Sequence, residues 1–241
     1  MSNPILNENR FNENERILEG APMTINGTIQ VTAFLGLLLV VSASFVWSRV
    51  TVGYTDLAMM LMGGGLIVGF ILALIISFTK NKLLVPVYAV CEGCALGGIS
   101  ASVEAVYPGI VMQAVAGTFA ALFSMLILYK MRLIQATDKF RSVIFISTLS
   151  IAGVYLIDII GSFFGLHVPL INSASPLGIL VSLLVIAVAA LNLILDFDFI
   201  ERGEQMMLPK DYEWFGAFGL MVTIVWLYIE ILKLLMKLNK R

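Results

Sequence analysis

Four acids stand inside or at the edge of long apolar stretches: Glu92, Asp158, Asp196 and Glu230. Asp198 follows Asp196 by two residues, and Asn192 precedes it by four, which is one helical turn and the same helix face. A carboxylate at that depth is costly unless it keeps its proton, finds a partner or holds a cation. Every Lys and Arg, by contrast, lies at the end of a stretch or in a loop, so the sequence predicts buried acids with no fixed cation at depth, unless the end of a long basic side chain snorkels inward. Two such acids brought together would share one proton and titrate as a unit, the physical basis of a proton- or cation-dependent switch. Asp196 and Glu230 are the leading pair, because they sit on the last two apolar segments, with Asn192 placed to share the proton or to ligate an ion. Calcium is the metal such a pair suits, since hard cations take oxygen ligands and this core offers no imidazole or accessible thiolate. Two carboxylates fall short of the ~6–8 oxygens calcium takes, so carbonyls or water must supply the rest. Glu92, Asp158 and Asp198 are candidates for the same pathway, with an idle acid at the membrane interface as the alternative for Asp158 and Asp198. No cofactor beyond the ion is expected.

The elements that must position these groups follow from composition. The chain has 241 residues, 59% of them hydrophobic and only 13% charged, with a mean hydropathy of +0.96. That excludes an ordinary soluble domain and indicates an all-α polytopic membrane protein in contact with the lipid bilayer. A net charge of −1 excludes a nucleic-acid binder and a polybasic membrane-surface protein. Residues 1–23 are rich in Asn and Glu and lack the basic region and apolar core of a signal peptide, so the first span is expected to serve as targeting signal and stay in place. The lone histidine, His167, falls in a loop, which argues against Ser–His hydrolysis or a multi-His metal site; the chain is read as non-enzymatic. Cys91 and Cys94 share a CxxC spacing, yet a helix within a bilayer is a poor setting for thiol exchange, so they read as packing residues.

A polar tail over residues 1–27 precedes a seven-span domain over residues 28–241, with spans at 28–47, 57–78, 83–103, 110–129, 142–164, 177–200 and 215–235. Each is close to the ~20 residues that cover the hydrocarbon layer. Tyr107-Pro-Gly breaks the third span from the fourth, and a charged connection over residues 201–212 joins the sixth to the seventh. The Gly63-Gly64-Gly65 run and the spacings Gly93-x-x-x-Gly97 and Gly161-x-x-x-Gly165 suit close helix approach. Lys and Arg gather in the loops after spans two, four and six, and none occurs at residues 100–108 or 165–176. That bias puts the N-terminus in the cytoplasm and, after seven crossings, the C-terminus outside a cell (inner or plasma) membrane, against the basic character of the last residues.

Three stretches carry a resemblance: Glu92-Gly-x-x-Leu-Gly97, Ala190-Leu-Asn-Leu-Ile-Leu-Asp196-Phe-Asp-Phe-Ile200-Glu, and Leu227-Tyr-Ile-Glu230-Ile-Leu. With the order of spans, they resemble the Bax inhibitor-1 family, in particular its prokaryotic branch, from about residue 22 to the C-terminus. The resemblance implies six helices around a central C-terminal seventh. It also implies a pH-sensitive calcium leak governed by two hydrogen-bonded acids on helices six and seven, matched here by Asp196 and Glu230. The second acid departs from the family's usual Asp by one methylene. Asp196 lies near the inner end of its span and Glu230 some fifteen residues along the next, ~22 Å at helical rise. They meet only if the last two helices extend as a hairpin beyond the membrane. Two other classes stay open: a regulator that packs against a membrane-embedded protease or similar partner, and a proton-coupled cation exchanger.

Overall fold

The computed structural model describes residues 21–165 and 173–240. Seven helices in it are long and apolar enough to cross a membrane: α1 (Ile25–Val52), α2 (Thr55–Thr79), α3 (Val85–Val106), α4 (Ile110–Lys130), α5 (Asp138–Ser162), α6 (Pro176–Gln205) and α7 (Tyr212–Asn239). A single 3₁₀ turn, Lys82–Leu84, leads into α3. The ends are set by ordinary chemistry. Thr24, Thr137 and Ser175 cap α1, α5 and α6 with side-chain oxygens on Gly27, Phe140 and Gly178 amides. Gly53 (φ 94°) closes α1, and Gly109 (φ 85°) turns the chain into α4, both in the left-handed region that glycine enters without strain.

The helices are longer than the apolar stretches, because capped polar ends continue the helical ladder outside the hydrocarbon. Two expected boundaries move as a result. The tail predicted over residues 1–27 gives up its last residues, since Met23 is buried and α1 begins at Ile25. The charged connection after span six is half helix: α6 runs on to Gln205, leaving a short turn before α7.

The last helix, α7, is the most buried of the seven and packs on α1, α3, α4 and α6. The peripheral helices α2 and α5 are held chiefly through α3 and α6. One core gathers Leu35, Ala89, Ala114, Phe218 and Leu232 around α7, and a second gathers Ala189, Leu193, Ile194 and Leu227 between α6 and α7. Without a hydrophobic drive between helices in lipid, such contacts depend on close approach. Gly93 and Gly97 of α3 supply it. A Cβ on Gly97 would stand 2.8 Å from the Ala43 Cα of α1, and one on Gly93 would stand 3.0 Å from the Leu39 carbonyl carbon. In the glycine run of α2 only Gly65 is needed, since a Cβ there would meet the Cys91 carbonyl oxygen at 2.5 Å, whereas Gly63 and Gly64 face open space. Gly165 lies beyond the end of α5, so the 161/165 spacing does not mark one helix face.

The start of α1 is tied to the α6–α7 connection. The Met23 amide donates to the Leu208 carbonyl at 2.7 Å, and the Met23 side chain packs over Gly203 and Gly216. Two carboxylates complete the join: Glu213 Oε1 accepts from both the amide and hydroxyl of Thr24 at 3.0 Å, and Glu204 Oε1 accepts from the Ile25 amide at 2.9 Å. Helix N-termini carry unsatisfied amides and partial positive charge, so two acids there are favourable. Glu213→Ala removes the acceptor of both Thr24 donors at a part-buried join and is expected to cost ~1 kcal/mol, the usual net worth of a hydrogen bond. Hydrogen exchange at the Thr24–Thr28 amides is the check; unchanged protection would contradict the assigned role.

Candidate functional site

The α6–α7 hairpin is antiparallel, and its contacts fix the register. Phe199 stacks edge-on against Phe215 with ring centroids 5.8 Å apart. A Cβ on Gly216 would lie 3.2 Å from Ile200, and one on Gly219 would lie 3.5 Å from Asp196 Oδ1. At the far end, Lys237 Nζ donates to the Gly178 carbonyl at 3.1 Å and to Ser182 Oγ at 2.7 Å. Asp196 is thus opposite Gly219 and Thr223, while Glu230 is opposite the neighbourhood of Val185, with which it shares a cavity wall. Eleven residues separate Val185 from Asp196, ~16 Å along the helix.

The expected Asp196–Glu230 pair is therefore not formed. Both acids lie on facing helices, but in opposite halves of the hairpin. The physical reason is the position of the turn: it falls between Gln205 and Tyr212, closer in sequence to Asp196 than to Glu230, so Glu230 lies farther from the turn along its helix than Asp196 does.

Each acid has its own surroundings. Glu230 is almost fully buried (2% exposed) and doubly held: Tyr155 of α5 donates its hydroxyl to Oε2 at 2.8 Å, and Lys233 donates to Oε1 at 3.1 Å. The Lys233 ammonium also sits 4.5 Å from the centre of the Tyr155 ring. Glu230 is the exception that the expectation allowed, an acid met by a basic side chain that snorkels inward. Lys233 lies one turn beyond Glu230 on the same helix, and its flexible stem brings the ammonium back to the carboxylate. A cavity of about 180 Å³ opens beside this group, walled by Ser150, Val154, Ser182, Lys233 and Lys237.

Asp196 is different. Among the described residues two buried side-chain polar atoms have no hydrogen-bond partner, Arg49 Nε and Asp196 Oδ2. Thr223 stands beside the other side of the Asp196 carboxyl, and Gly219 leaves the space it occupies.

The remaining candidates are dispersed. Asn192 does not serve Asp196: its amide nitrogen donates to Thr148 Oγ1 at 2.8 Å and to the Val188 carbonyl at 2.9 Å, joining α5 to α6. Asp198 pairs with Arg141 and with Arg202, the latter at 3.1 Å. Beside it, Glu201 is bound by Tyr129 and Arg132. These pairs brace the end of α6 against α4, α5 and the loop between them, with Asp198, Arg141 and Arg202 on the wall of a shared cavity. Glu92 faces α2, where the missing side chain of Gly69 leaves it room at 3.1 Å. Asp158 is half-buried on α5, one turn beyond Tyr155. Cys91 and Cys94 are free thiols near Gly65, in keeping with a packing role. His167 lies outside the described residues. Among the described residues no group of three or more His, Cys, Asp or Glu side chains is arranged to hold a metal ion, so calcium at Asp196 or Glu230 would need backbone or water oxygens for most of its shell.

Sequence reasoning missed Tyr155, Lys233 and Lys237 as parts of the site. The i,i+3 spacing of Glu230 and Lys233 was the available signal for one of them. Tyr155 and Ser182 come from other helices, and nothing in their local sequence marks them.

The family model described as Bax inhibitor 1 like matches residues 3–240, nearly the whole chain. No curated protein matches it.

Proposed function

Because the chain belongs to the Bax inhibitor 1 like family, we propose that it is a non-enzymatic, pH-sensitive cation leak whose ion acceptor is Asp196 and whose second acid, Glu230, is held closed by Lys233. The protein sits in the cell membrane with its N-terminus in the cytoplasm and its C-terminus outside, in keeping with the basic residues at the α2–α3, α4–α5 and α6–α7 turns. Calcium is the ion proposed.

The observation that carries this reading is the unpartnered Oδ2 of Asp196. A lone carboxylate in a low-dielectric place is stable as the neutral acid or with a cation at its side, and exchange between the two is a switch that pH and cation concentration both move. The other buried acids have their partners: Glu213 holds Thr24, and Glu230 holds Tyr155 and Lys233. Lys233 acts as a tethered cation, filling from within the place beside Glu230 that a permeating ion would take.

The test is calcium entry into proteoliposomes at a series of pH values. Asp196→Asn keeps the shape and one hydrogen-bonding oxygen but holds neither a proton nor a cation in the same way. It is expected to lower flux by about tenfold, equivalent to ~1.4 kcal/mol, and to flatten the pH response. A variant that keeps the full wild-type pH response would remove Asp196 from the mechanism.

A further inference from the structure

A second cavity, of about 730 Å³, lies away from the hairpin acids, between α1, α3, α4 and α7. Its walls are almost wholly apolar, with Val40, Met112 and Phe119 exposed along its rim. The helices leave it open sideways. The α1 helix packs on α3 and α7, and α4 packs on α7, but α1 and α4 do not pack closely on each other. The gap between them faces the hydrocarbon. From Trp47 to Thr32 the α1 wall is fifteen residues long, ~22 Å at helical rise and comparable with one leaflet of the ~30 Å hydrocarbon layer plus its boundary.

Ser44 on the α1 wall is exposed, and one buried polar pair interrupts this surface. Ser100 Oγ and Tyr228 Oη, both buried, lie 2.6 Å apart and line the cavity. Two hydroxyls carry two hydrogens, and the bond between them uses one. The second hydrogen has no acceptor among the described residues. Thr32 and Thr118, on the same walls, spend their hydroxyls on their own helix carbonyls. A buried, unspent donor in an apolar cavity asks for an acceptor from whatever fills it. Ser100 is six residues from the end of α3 at Val106, so the pair lies ~9 Å from that end. That is a shallow depth, near where a lipid's ester groups give way to its chains.

We infer that this cavity is a lateral binding site for one acyl chain of a glycerophospholipid. The chain enters between α1 and α4 from the leaflet at the Val52–Thr55 end, its ester carbonyl accepts from the Ser100–Tyr228 pair, and its tail runs along α1 toward Thr32. Gly36 is what keeps the channel clear: it lines the cavity, and a Cβ built on it meets nothing within 4 Å.

That open space also supplies the test, because a side chain added at Gly36 starts into the cavity with a Cβ that meets nothing of the protein. Wild-type protein in phosphatidylcholine nanodiscs is irradiated with a phosphatidylcholine probe carrying a diazirine in one acyl chain, and the adducts are mapped by peptide mass spectrometry. Adducts should concentrate on α1 residues 32–47 and α4 residues 111–122. Gly36→Phe should reduce them there by at least about fivefold, the equivalent of losing ~1 kcal/mol of binding. Gly64→Phe, which faces open space on α2 and away from this cavity, should leave them unchanged and controls for folding. Joint Ser100→Ala and Tyr228→Phe should weaken labelling by about fivefold through loss of one neutral hydrogen bond. Adducts spread evenly over all seven helices, or equal labelling of wild type and Gly36→Phe, would overturn the site.

Discussion

Gly97→Leu is expected to separate α1 from α3 and to lower thermal stability by on the order of 10 °C, whereas Gly64→Leu on α2 should leave it unchanged. A Cβ at Gly97 falls against the main chain of Ala43, 2.8 Å from its Cα, and main chain cannot rotate aside as a side-chain tip can. Overpacking a core costs ~1–3 kcal/mol, and an obstruction made of backbone belongs at the upper end. For a chain of this size ~1 kcal/mol corresponds to ~2–4 °C. Small residues matter more in lipid, where burying apolar area between helices gains little and close backbone contact carries the association. Thermal unfolding of purified protein in detergent, followed by accessibility of Cys91 and Cys94 to a thiol-reactive dye, measures the difference. Equal midpoints for the Gly97 and Gly64 variants would refute the α1–α3 packing described above.

Lys233→Gln is expected to raise calcium flux by about tenfold, while Lys233→Arg keeps it low. The carboxylate of Glu230 is 2% exposed and receives Lys233 at 3.1 Å. Removing its direct partner leaves the Glu230 charge with only Lys237, across the same cavity and bound to Gly178 and Ser182, for compensation, an unfavourable state that an incoming cation relieves. The Tyr155 hydroxyl, at 2.8 Å, stays in place to orient the freed carboxylate. Tenfold is equivalent to ~1.4 kcal/mol, a modest share of the cost of that lost partner. Glu230→Gln should erase the gain, because then no charge is left to expose. Combined with Asp196→Asn, the Lys233 effect should multiply independently, since the two sites lie ~16 Å apart along the hairpin and distant sites add. Strong coupling between Asp196 and Glu230 would restore the shared-proton pair that the register excludes. Flux in Lys233→Gln equal to or below wild type would end the tethered-cation role.

How far the sequence reached depended on whether a feature was local. Seven spans, the break at Tyr107-Pro-Gly and the Gly93/Gly97 contact are written in short stretches and were legible. The identity of the chemistry-bearing acids was legible too, because a carboxylate in an apolar run is anomalous wherever the chain goes. What each acid meets was not. The separation of Asp196 from Glu230 depends on where the chain turns between Gln205 and Tyr212, and polar residues such as Glu201, Arg202 and Glu204 stay helical up to that turn because the backbone ladder and their own pairs support them. Asn192 was read from its place one turn before Asp196, but its partner Thr148 lies 44 residues away on α5. Asp198 likewise drew its arginine, Arg141, from another helix. The Glu213 and Glu204 join to α1 spans nearly the whole chain length, and no local pattern announces it.

The most direct measurement is calcium entry into proteoliposomes that hold the wild-type protein, with a calcium gradient imposed and no pH gradient. A leak needs only the calcium gradient. The predicted result is entry that scales with the amount of protein, changes when the pH of both sides is moved together, and loses that change in Asp196→Asn. No entry above protein-free liposomes, or entry that begins only when an opposing pH gradient is applied, would contradict a leak and leave a partner-binding protein or an exchanger in its place.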